Sequence, residues 1–188
     1  MDKNGKFLSN ESLLEKNQWR GDIQSKVKQE IEEGQGCRLT GFLKVYRVPG
    51  NIHVATHAHM DIVNYLKIRE GVKFDFSYEI HHLSFGNKED FDYISQHFED
   101  LEMEHPADGI KGVAKMEEVG NKTVPMDFKT MFYLVAVPSY FEKGLFKYHV
   151  YQLIANYETT YDEEHVQGNS ILMFNFEFSP ITENITQN

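Results

Sequence analysis

The chain has 188 residues and carries 29 acidic against 19 basic side chains, a net charge of −10. That length suits one domain with a core large enough to need no disulfide or metal staple, and a field of that sign repels phosphate backbones, which argues against a nucleic-acid partner. One cysteine, Cys37, excludes an intrachain disulfide, and no apolar run approaches the roughly 20 residues of a membrane span.

Residues 1–36 are polar and form the first expected region, an N-terminal arm. Within it Val27 and Ile31 stand at i, i+4 in the stretch Ser25–Glu33, which predicts a short helix closed by Gly34. Trp19 is the large apolar group available to pin the arm down. From residue 37 to 186 the reading is a β domain. Leu39, Phe42, Val45 and Val48 run into Val48-Pro49-Gly50-Asn51 and then Ile52-His53-Val54-Ala55, which predicts strand, type II turn, strand. Residues through Gly86 read mostly as strand, and Lys73–Ile80 alternates apolar and polar side chains with period two.

At Asn87 the period changes. Phe91, Ile94, Phe98 and Leu101 recur at helical spacing, predicting an amphipathic insertion near residues 88–103 that Pro106 stops. Its outer face carries Glu89, Asp90, Asp92, Glu99, Asp100 and Glu102, a candidate acidic docking face. His105-Pro106-Ala107-Asp108-Gly109 is a turn. Apolar strands follow at 131–140, 146–158 and 170–181, with 14 Phe and 10 Tyr in the chain suited to half-buried pleated surfaces. The expected fold is all-β, an antiparallel sandwich of two sheets with a short N-terminal helix and the helical insertion.

Reaction chemistry finds little purchase. His57, His59 and Asp61 with His81 and His82 include enough imidazoles for a zinc site, but no arrangement of flanking ligands fixes a known geometry, so no metal and no cofactor are expected. Nucleophile elbow, phosphate-cradling glycine loop and Cys-x-x-Cys are all missing from the sequence, and no catalytic residue is assigned. Ser84 follows His82 by two residues, which on a strand puts both on one face. His57, His59, His81, His82 and His105 fall at strand ends or turns of an acidic domain and are candidate pH-sensing groups. Asn10, Asn121 and Asn184 open Asn-x-Ser/Thr triplets and are candidate N-glycosylation sites.

Several blocks carry a resemblance. Gly36-Cys37 through Gly50-Asn51-Ile52-His53, then Ile80-His81-His82-Leu83-Ser84-Phe85-Gly86, His105-Pro106-Ala107-Asp108-Gly109, Met131–Tyr140 and Phe176-Glu177-Phe178-Ser179-Pro180-Ile181 occur in order. Together they resemble the luminal domain of the ER–Golgi cargo-receptor family of COPII vesicles, across roughly residues 24–186. His105 stands where that pattern has Asn. The resemblance implies a β-sandwich, transmembrane helices outside this chain, and a luminal piece of a receptor cycling through endoplasmic reticulum, intermediate compartment and cis-Golgi. It further implies secretory cargo proteins and a related receptor subunit as partners, and no enzyme activity in the domain. One branch of the family is fused to a disulfide-isomerase module, so a non-catalytic substrate-binding domain of such a protein is the first alternative. A carbohydrate-binding sandwich is the second.

Overall fold

The computed structural model describes residues 10–55, 60–69, 71–72, 74–98, 105–143, 145–161 and 170–187. They fall into two compact units, one drawn from Met1–Phe42 and Thr56–Asp75, the other from Leu43–Ala55 and Phe76–Asn188.

The first unit is helical. α1 runs Asn10–Glu32, so the helix read at residues 25–33 is its C-terminal part. It closes with paired bonds from Gly34 N to the Ile31 carbonyl and from Gln35 N to the Glu30 carbonyl. That double closure needs a left-handed residue between helix and loop, and Gly34 supplies it at φ 67°. α2, Met60–Arg69, lies where the sequence pattern suggested strand. Ile62, Val63 and Leu66 are buried on it, a spacing that makes one helical face.

The second unit is built on a hairpin of two 16-residue strands, β6 (Phe128–Lys143) and β7 (Phe146–Tyr161), after the short strands β1 (Gly50–Ala55), β2 (Tyr78–Glu79), β3 (Lys111–Gly112), β4 (Met116–Val119) and β5 (Lys122–Pro125). β8 (Ile171–Phe178) and β9 (Glu183–Gln187) complete it. The main sheet has the order β1-β8-β6-β7, with β9 also on β6; β2–β3 and β4–β5 are separate antiparallel pairs. The expectation of a β fold holds, with a correction: the main sheet is mixed, because β8 and β9 both run parallel to β6. The purely antiparallel reading fails since β8 reaches β6 by a long connection after β7 rather than by a hairpin.

Pro138 explains how two strands share one edge of β6. β8 pairs as far as Ala136 and β9 begins at Ser139, so Pro138, with no N–H to give, sits in the gap between them. Burial changes parity there. Phe128, Thr130, Phe132, Leu134 and Ala136 are buried before the gap, Ser139 and Phe141 after it. Alternate strand residues face opposite ways, so the ribbon buries one face at one end and the other face at the other. The first core joins Phe132, Leu134, Leu153 and Phe176 to Ile80 and Ala107 from the β2–β3 layer. The second joins Phe141 and Val150 to Phe91 and Ile94 of α3 (Lys88–His97) and to Phe98, which caps its C-terminus.

α3 bears out the predicted helix from Lys88, with Asn87 as N-cap accepting from Glu89 N at 3.2 Å. It ends at His97, with Phe98 as its non-helical C-cap, short of the residue 103 expected. Two other expectations are corrected. Residues 37–48 form no strand, and Leu39, Phe42 and Tyr46 stand 85%, 87% and 87% exposed; the described residues give this stretch no ladder partner. Gly50 does not take the positive φ of a type II turn. It opens β1, where an added Cβ would lie 2.7 Å from the Phe176 ring. In 74–80 the alternating burial holds, but only Tyr78 and Glu79 enter a ladder, against Gly112 and Lys111.

Candidate functional site

The loop that follows β2 and the turn that precedes β3 are tied together by backbone. Ile80 N donates to the Ile110 carbonyl at 2.9 Å, Gly109 N to the Ile80 carbonyl at 2.7 Å, and Asp108 N to the His105 carbonyl at 2.9 Å. Gly109 at φ 76° is the residue that lets the turn reverse, and Ala107, fully buried, plugs it into the first core. Asp108 is thereby aimed across the loop. Its Oδ1 accepts from Leu83 N at 2.9 Å, and its Oδ2 lies 2.9 Å from His82 Nδ1. The other nitrogen of that ring, Nε2, lies 3.0 Å from Ser84 Oγ. His105 meets His82 edge-on with ring centroids 4.7 Å apart and is backed by Phe91 at 5.7 Å. One donor atom from each of His82, His105 and Asp108 falls within 4.8 Å of the other two.

Of the five histidines singled out in the sequence, His82 and His105 are thus brought together, His81 stands exposed beside them, and His57 and His59 lie outside the described residues. Asp108 was missed. Its signal was the Asp-Gly of the turn, read as chain reversal only. In the acidic set Glu89 and Asp92 are exposed and Asp90 is half-buried, while Glu99, Asp100 and Glu102 lie outside the described residues. Glu89 and Asp90 occupy the first turn of α3, where negative charge offsets the helix dipole. Asn121 is exposed in the β4–β5 turn, Asn184 is exposed on β9, and Asn10 begins α1.

A second feature lies on the main sheet. The start of β1, the end of β8 and the middle of β6 border an open depression of about 440 Å³, lined by Pro49, Gly50, Asn51, Tyr133, Leu134, Val135, Asn175, Phe176 and Glu177. Tyr133, Val135, Asn51, Asn175 and Glu177 share the face turned away from the first core, as the register Tyr133↔Asn175 and Asn51↔Asn175 requires. Tyr133 and Ile154 are 45% and 53% exposed there. β1 ends the strand order, and among the described residues no second strand pairs with it.

Further along the hairpin His149 stacks on Tyr140 at 4.6 Å, and its Nε2 is buried with no hydrogen-bond partner among the described residues. Burial first, then the nearby Arg47 charge, hold this imidazole below its ordinary pKa of 6.5.

The chain thus presents a mixed main sheet with an open outer face, and comparison with known proteins gives its family. Residues 4–188 match the endoplasmic reticulum vesicle transporter family, and the chain belongs to that family. It is similar to endoplasmic reticulum–Golgi intermediate compartment protein 1 of Xenopus laevis, at 36% identity over 81 residues, covering 43% of this chain and 25% of that protein. The protein of the same name from Danio rerio is 31% identical over the same shares of the two chains. An uncharacterized protein of Schizosaccharomyces pombe is 38% identical over 30% of this chain and 16% of its own length. The matched stretch thus spans about a quarter or less of each of these relatives. No solved structure matches the chain.

Membership assigns the chain to ER–Golgi vesicle traffic and to the membranes of the ER, intermediate compartment and Golgi. No helix among the described residues is long and apolar enough to cross a bilayer. The family is one of transport proteins and does not favour the isomerase-domain or glycan-binding readings.

Proposed function

We propose that this chain is the luminal recognition domain of a membrane receptor that carries secretory proteins between ER and Golgi, and that cargo binds on the open face of the main sheet. The carrying observation is the depression where the start of β1 and the end of β8 meet the middle of β6. An exposed aromatic, two side-chain amides and a carboxylate border it, a mixture that can hold an apolar side chain and hydrogen-bond the peptide beside it. β1 adjoins the depression as an edge strand, so an extended cargo segment can add to the sheet there while its side chains enter the depression. The net charge of −10 selects basic segments and speeds their encounter. A related receptor subunit docks elsewhere, on the exposed side chains Leu43 and Tyr46.

The test is binding of luminal cargo, from ER-derived vesicles, to wild type and to Tyr133→Glu. Tyr133 is exposed, so the variant keeps its fold while placing a charge at the mouth of the depression. Cargo recovery falls at least tenfold in the variant, whereas a Leu43→Glu change reduces recovery of the related subunit and spares cargo. Equal cargo recovery by wild type and Tyr133→Glu contradicts the proposal.

A further inference from the structure

We propose that His82, His105 and Asp108 form a site for one divalent cation of the zinc class. Two imidazoles and a carboxylate are a donor set that zinc accepts with water completing the tetrahedron, whereas calcium and magnesium want oxygen alone. The three donor atoms lie within 4.8 Å of one another. Bonds of about 2.0–2.1 Å at tetrahedral angles require donors roughly 3.4 Å apart, so a gap at the 4.8 Å limit closes by about 1.4 Å. The His82 side chain, 55% exposed, has the freedom to swing by that amount.

The surroundings orient the donors as a metal needs. His82 Nδ1 already faces the Asp108 carboxylate, and its Nε2 faces Ser84 Oγ at 3.0 Å. With the cation on Nδ1, Nε2–H donates to the Ser84 hydroxyl and fixes the ring. Asp108 Oδ1 is held by Leu83 N–H, which leaves Oδ2 for the cation. The turn itself is anchored by its bonds to the Ile80 and His105 carbonyls, so two ligands sit on a rigid element and the third on the loop bonded to it. A bound ion therefore cross-links the two loops that cover the first core.

The same side chains trace a Ser84–His82–Asp108 relay, the arrangement of a hydrolytic serine. The second imidazole decides against it: His105 packs on His82, where a relay has no use for it and a metal does.

The experiment is zinc titration of the whole chain after chelator treatment, followed by calorimetry and thermal unfolding, with cobalt absorption reporting the coordination. Wild type binds one zinc, its Tm rises by roughly 5–10 °C at a hundredfold excess over Kd, and cobalt gives tetrahedral visible bands. His105→Asn and Asp108→Asn each lose tenfold or more in affinity and all of the Tm rise. Asp108→Asn retains an acceptor for Leu83 N–H, so its fold, checked by circular dichroism, persists. His97→Asn, on α3, behaves as wild type. Absence of zinc binding at 100-fold molar excess, binding unchanged in His105→Asn, or labelling of Ser84 by a fluorophosphonate probe without zinc binding each overturns the assignment.

Discussion

Phe132 shows how much of this fold rests on single aromatic residues. It is fully buried and stacks on Phe174 at 5.0 Å and on Tyr157 at 5.2 Å, joining β6 to β8 and β7. Phe132→Ala therefore costs about 3–5 kcal/mol, measured by urea unfolding, through lost burial and the cavity left behind. Gly50 sets the opposite constraint. A methyl there meets the Phe176 ring at 2.7 Å, so Gly50→Ala costs about 1–3 kcal/mol by overpacking at the rim of the depression. His149 gives a pH dependence. Its folded pKa lies below the ordinary 6.5, so the unfolded chain binds the proton more readily. The contribution is constant above that value, and stability falls as pH drops below about 6.5 toward the folded pKa. The groups that act on the ring are Arg47, which lowers its pKa, and Asp90, which raises it, with Tyr140 and Tyr151 packed against it. Replacing it, as in His149→Phe, flattens unfolding free energy over that acidic range; an unchanged slope assigns the effect to other groups.

At the scale of elements, α3 is a helix by its own sequence and by what it covers. Phe91, Ile94 and Phe98 lie on Phe141 and Val150, and Asn87 caps the first turn. Asn87→Ala costs about 1 kcal/mol by chemical denaturation, because Glu89 N loses its acceptor. The apolar positions were legible in the sequence, since the 3.6-residue period is a local signal, while the Asn87 cap went unread. β6, β7 and β8 were legible too, as long runs of apolar and aromatic residues. What hid was pairing. Residues 37–48 have the composition of a strand but no partner among the described residues, and strand propensity without a ladder yields an exposed stretch. The parallel β6–β8 and β6–β9 pairings also escaped, because nothing local distinguishes a parallel partner from an antiparallel one. Pro138 carried the one clue, as a residue suited to a break between two partners. α2 was misread because Ile62, Val63 and Leu66 fit a short strand as readily as one helical face.

For the molecule as a whole, the hairpin β6–β7 is the organising piece of the second unit. It buries one face on the β2–β3 layer and the opposite face under α3, so each core leaves the other side of the ribbon open. The open face near Tyr133 is the direct consequence, and the recognition role proposed for a member of the vesicle transporter family follows from it. Of the candidate sites, the histidine cluster was half legible: His82 and His105 were named from their loops, while Asp108 required knowing that residues 105–110 fold back onto residue 80. The depression was not legible at all, because β1, β8 and β6 come from distant parts of the chain and meet only through sheet order. The most direct measurement places a photo-crosslinking side chain at Tyr133 on that face, or at Leu145 at the tip of the hairpin, in the protein within ER-derived vesicles. Adducts with secretory proteins form from position 133 and not from 145; adducts from 145 alone, or in equal yield from both, contradict the account.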